Sequence, residues 1–138
     1  MPQIATVSVA SLIYPTVANG LPQAPPPPAK TYSVTYEQAV TYPRLVISGA
    51  GSIVLADFSL LPAAGCQVLT VTLDGIDDTG AGLTAPVSFV MTGTTHGTIV
   101  LPIGGGSFSI VAPGAAGGVT GLTITSTAPA VVRVSALG

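Results

Sequence analysis

The sequence predicts an all-β fold, a jelly roll or β-sandwich with an extended proline-rich N-terminal arm. Three observations predict it. Apolar and polar residues alternate with the period of a strand, the alternating runs are short and rich in β-branched residues, and Gly or Pro separates one run from the next. No long stretch free of Gly and Pro carries a helical period, and one short helical turn is expected near Leu60 to Ala64.

Taken in order, Thr6–Val9 and Tyr32–Tyr36 open the series as weak alternations. Val46-Ile47 and Ser52–Leu55 follow, separated by the turn signal Gly49-Ala50-Gly51. Gln67–Leu73 is the clearest strand: Leu69, Val71 and Leu73 share one face, with Thr70 and Thr72 on the other. Asp74-Gly75 and Thr79–Gly82 end it in what reads as an acidic hairpin loop. Val87–Met91, Thr98–Leu101 and Ser107–Val111 are next, with Gly93 and Gly104–Gly106 between them. Gly121–Thr125 repeats the apolar–Thr alternation, and in Val132–Ser135 Arg133 points away from Val132 and Val134. Closely spaced strands of this kind build a sandwich or a barrel.

Residues 1–31 read as an N-terminal strand and arm, and residues 32–138 as the sandwich domain. Pro25, Pro26, Pro27 and Pro28 within the arm favour polyproline II, an extended rod without internal hydrogen bonds. The arm serves either as a stiff linker or as a contact to another chain. Binding to an SH3-type domain is a further alternative, though no evident basic motif flanks the run.

Charge is the second theme. The chain has three Lys or Arg and five Asp or Glu among 138 residues, 6% charged, and none between Thr79 and Val132. An ordinary soluble domain has about 25%, and exposed strands usually carry Lys or Glu that discourage edge pairing. Here the solvent positions are chiefly Thr, Ser, Ala and Gly. Either the hydroxyls alone keep the domain dissolved, or its faces and edges are meant to be covered by protein. We read the second. Gly and Pro interrupt every apolar window that a spanning helix would need, and Trp is absent where a membrane barrel would carry aromatic girdles, so no membrane partner is expected. Met1-Pro2-Gln3 lacks the basic start of a signal peptide. Lys30, Arg44 and Arg133 are the only cations, too few and too scattered for a nucleic-acid partner.

No catalytic, cofactor-binding or metal site is expected. His96 lies in the turn-like Thr94–Thr98 without a nucleophile motif. Gly104–Ser107 lacks the Lys and the helix of a phosphate loop. Cys66 is the one cysteine and reads as a buried small hydrophobe. The candidate contact residues are Pro25 to Pro28, Arg133 and the dense acidic cluster Asp74, Asp77 and Asp78. The cluster lacks the spacing of a Ca²⁺ loop. It reads as a solvated loop or as a contact to basic groups on a partner.

The proline run, the alternating strands Val68–Leu73 and Leu122–Thr125 and the charge-free span Thr79–Val132 together resemble the cement or decoration proteins of tailed-bacteriophage heads, in particular those with a jelly-roll fold. The resemblance covers the whole chain in size and texture and rests on no diagnostic motif. It implies a non-enzymatic virion protein on the outer surface of the capsid, clamping neighbouring major capsid proteins, with a homodimer the first expectation and a trimer the second. A tail, fibre or pilin-like module and a carbohydrate- or surface-binding domain are the alternatives.

Overall fold

The computed structural model describes residues 3–9, 30–36, 38–55, 66–93, 96–111 and 118–138. Those residues form strands and no helix. β1 (Gln3–Val9) and β2 (Lys30–Tyr36) are followed by β3 (Ala39–Ile47), β4 (Gly51–Leu55), β5 (Val68–Leu73) and β6 (Val87–Gly93). β7 (Gly97–Leu101), β8 (Gly106–Val111), β9 (Val119–Ser126) and β10 (Ala130–Leu137) complete the chain. Each alternating run of the sequence falls on one of these strands, with Gln67 lying just before β5. The expected turn at Leu60–Ala64 and the prolines Pro25 to Pro28 lie outside the described residues.

β3 extends well beyond the Val46-Ile47 that alternation identifies. Its register against β10 shifts between Val132 and Val134, opposite Pro43 and Arg44. A bulge sets two residues against one and breaks the strand's parity. Tyr42 and Leu45 therefore both pack toward the core, although three positions apart. A period-two reading cannot follow that step.

Two four-stranded sheets, ordered β3-β10-β5-β8 and β4-β9-β6-β7, pack face to face as a sandwich. The pairing is nested: β3 with β10, β4 with β9, β5 with β8 and β6 with β7, all antiparallel. Successive strands therefore alternate between sheets, except at β6–β7. Leu69, Val71 and Leu73 of β5 and Val132 and Val134 of β10 meet Phe89 of β6 and Leu122 and Ile124 of β9 in one core. Phe89 is fully buried and meets Phe108 of β8 edge-to-face, with ring centroids 5.5 Å apart, so this aromatic pair joins the sheets. Ser126, the one buried polar residue among those described, is satisfied within the β9–β10 turn: its Oγ donates to the Ala128 carbonyl and accepts from the Ala128 amide.

β1 and β2 form a separate antiparallel ribbon, Gln3 opposite Tyr36 and Val9 opposite Lys30. The ribbon thus spans both sides of residue 31. Gln67 Nε2 donates to the Thr35 carbonyl at 2.7 Å, and Gln38 and Gly138 exchange backbone hydrogen bonds of 2.8 and 2.9 Å, tying the chain after the ribbon to the end of β10.

Residues 74–86 are a crossover and not a hairpin loop, because β5 belongs to one sheet and β6 to the other. The hairpin expectation is corrected on this point. The crossover packs backbone to backbone on the β7–β8 turn, where the Gly105 amide donates to the Pro102 carbonyl. Gly105 has φ of 80°, and a Cβ there would lie 2.8 Å from both the Gly75 nitrogen and the Leu73 oxygen. Only glycine fits such a position without strain.

Candidate functional site

The acidic cluster is divided by the fold. Asp74 Oδ2 accepts a 3.2 Å hydrogen bond from Arg133 Nη2 in an exposed ion pair across β5 and β10. Asp77 Oδ1 accepts from the Thr79 hydroxyl at 2.6 Å and from the Thr79 and Ala81 amides at 2.8 and 3.0 Å. These bonds, the Thr79 hydroxyl foremost, hold the Asp77 carboxyl below the ordinary carboxylate range. Its task is local: it fixes the turn that lets Ile76 pair with Gly82. Asp78 is exposed and has no polar partner among the described residues. Of the three acids it alone offers an unengaged carboxylate. Arg133 points outward as alternation requires, and lines an open groove of about 290 Å³ with Thr41, Pro43, Thr70 and Thr72 beside the β3 bulge.

His96 is exposed in the β6–β7 connection. Cys66 is buried, and loss of water around it pushes its thiol up to about 11, which keeps it protonated and unreactive.

The broad surface that the fold builds is the outer face of β4-β9-β6-β7. No residue of these four strands is charged. Cross-strand register arranges that face in rows. Ser52, Thr125, Ser88 and Val100 form one, and Val54, Thr123, Val90 and Thr98 form the next. Ser52 and Thr125 share a 2.8 Å hydrogen bond between hydroxyls. Val54, Val90 and Val100 stand among them 65%, 37% and 58% exposed.

These valines are where the sequence reading of an outer face of Thr, Ser, Ala and Gly needs correction. Ile53-Val54-Leu55, Phe89-Val90-Met91 and Ile99-Val100-Leu101 are each three apolar residues in succession. In a strand such a run must send at least one apolar side chain to the outer face. The signal was present in the sequence, and only the assignment of the inner face to the flanking residues identifies which valine is exposed.

The edges differ. β3 is protected by Pro43, which has no amide hydrogen, by Arg44 and by the bulge. β4, β7 and β8 carry neither Pro nor charge. Among the described residues no group of His, Cys, Asp and Glu is placed to hold a metal ion, and no helix is long and apolar enough to cross a membrane. Comparison of the chain with protein-family models, curated proteins and solved structures finds no match.

Proposed function

We propose that this protein is a non-enzymatic structural component of a bacteriophage virion, which cements or decorates the outer surface of the capsid by clamping neighbouring major capsid proteins without covalent bonds. The observation that carries the reading is the uncharged face of β4-β9-β6-β7, with its exposed valines and unprotected edges, in a chain that is 6% charged. Such a face is ill suited to free solution and well suited to permanent cover. The proposal takes the sandwich to be a jelly roll. The nested pairing of β3 with β10, β4 with β9, β5 with β8 and β6 with β7 supports this, since it folds one long antiparallel double ribbon into two sheets. Binding only the assembled lattice would stabilise the shell by mass action, and many copies would add avidity. The protein acts as a homodimer in preference to a trimer. The arm with Pro25 to Pro28 and the free carboxylate of Asp78 supply secondary contacts.

Purified heads, heads lacking this protein and unassembled capsid protein provide the test. The protein should cosediment with assembled shells, fail to bind the unassembled subunit and raise the temperature at which the shells open. Recovery in tails or fibres instead of heads would replace the cement reading with the tail or fibre alternative.

A further inference from the structure

We propose that β7 pairs antiparallel with β7 of a second copy about a twofold axis at Ile99, joining the two uncharged sheets into one. The inference deepens the proposed function and rests on it for the presence of a dimer.

The two sheets of the sandwich have four edges that compete for this role, the β1-β2 ribbon lying outside both sheets. β3 is excluded by Pro43, Arg44 and the bulge. β8 turns Ser107 and Ser109 outward and offers little apolar surface. β4 and β7 remain, and both are five-residue strands without charge. The neighbours of their exposed valines separate them. Val54 on β4 is flanked across the sheet by Thr123. On β7, Val100 lies opposite Ser88 and Thr98 opposite Val90, so Val100 and Val90 are diagonal neighbours on one face. Apolar exposure is continuous up to this edge and interrupted at the other.

Pairing about Ile99 sets Thr98 of each copy opposite Val100 of the other. That repeats across the seam the Thr–Val pairing of Thr98 with Val90 within the sheet. Val90 and Val100 of one copy then adjoin Val100 and Val90 of the second in one strip. No charge on β6 or β7 opposes the approach, and the serines of β8, joined to β7 by the Pro102–Gly105 turn, add neither charge nor bulk. A second copy is favoured over a different partner because the strand is complementary to itself. An edge ladder supplies main-chain hydrogen bonds whatever the sequence, and the matched rows fix its register.

The test uses the full chain in solution, without shells. Wild type should sediment as a dimer. Val100→Lys should raise the dimer dissociation constant by tenfold or more, while Val54→Lys, the same change at the opposite edge, leaves it within about threefold. Directly opposed residues in an antiparallel pair have Cα atoms about 4.5–5.5 Å apart, within disulfide reach. A mixture of Thr98→Cys and Val100→Cys proteins, oxidised in air, should therefore give the mixed covalent dimer in preference to either homodimer, with buried Cys66 silent. This arm stands even if Val100→Lys fails to fold. A wild-type monomer, a trimer, dissociation by Val54→Lys, or absence of the mixed disulfide would each overturn the seam. A protein that dimerises through β7 yet ignores shells would overturn the cement reading and leave the seam intact.

Discussion

The sheet β3-β10-β5-β8 turns Arg44 to solvent and pairs its exposed Arg133 with Asp74, whereas the sheet β4-β9-β6-β7 turns no charge outward at all. Their inner faces are alike, both filled with Val, Leu and Ile around the Phe89–Phe108 contact. Their edges differ as their faces do: one has the bulge and Pro43 of β3, the other the plain strands β4 and β7. The shared core requires only that each strand be apolar on one side. The outer face is left free to vary, and under the proposed function its charge distinguishes the face left to water from the face covered by protein. An ion pair, a proline and an edge bulge discourage association on one side of this molecule; the strands on the other carry neither charge nor proline, and the register shift at Thr92 and Gly93 lies between the inner strands β6 and β9, away from either edge.

The comparison can be broken most severely at the contact the two sheets share. Phe89→Ala should lower unfolding free energy in urea by about 3–5 kcal/mol, because a large fully buried ring would leave a cavity between the sheets. A loss below ~1 kcal/mol would mean that the sheets do not depend on a common core.

A smaller break lies where the chain passes from one sheet to the other. Gly105→Ala should cost about 1–3 kcal/mol in thermal or urea unfolding, from its positive φ and the absence of room beside Gly75. An unchanged midpoint would mean that the crossover and the β7–β8 turn do not pack together.

A matched pair of substitutions sharpens the contrast between faces. Thr125 and Ser109 each share one hydroxyl hydrogen bond on an outer face, with Ser52 and Thr70 respectively. Thr125→Lys and Ser109→Lys should therefore change stability alike. Thr125→Lys should weaken shell binding by at least about tenfold, or ~1.4 kcal/mol, whereas Ser109→Lys should have little effect. Equal effects on binding would remove the functional distinction between the sheets.

The charges themselves should matter least. Asp74→Asn should cost about 0–1 kcal/mol, less at high salt, because the pair with Arg133 is exposed. Asp77 offers a pH signature. Its folded-state carboxyl titrates below its unfolded value, so the folded state binds fewer protons in that interval and stability rises with pH. The advantage of wild type over Asp77→Asn should be present above about pH 4 and should fade as pH falls through the folded-state value. An advantage that grew on acidification would show the opposite shift.

Much of this architecture is legible in the sequence because alternation is a local property. Leu69, Val71 and Leu73 are buried with Thr70 and Thr72 opposite, Leu122 and Ile124 are buried with Thr123 and Thr125 opposite, and Arg133 faces out, each as its neighbours dictate, while Cys66 is buried as its residue type leads one to expect. Strand pairing is not local, and only the tertiary structure decides it. Nothing in Asp74–Asp78 reveals that the following strand belongs to the other sheet, and nothing near Asp74 announces Arg133, 59 residues away. The acidic cluster is compact in sequence, yet the fold gives one carboxylate to an ion pair, one to a turn and leaves one free. Where three apolar residues adjoin, as at Ile99-Val100-Leu101, the pattern guarantees an exposed side chain without naming it. The choice is made by the inner face, where Phe89, Ile99 and Ile124 align across three strands, and burial of that row leaves Val100 in the outer one.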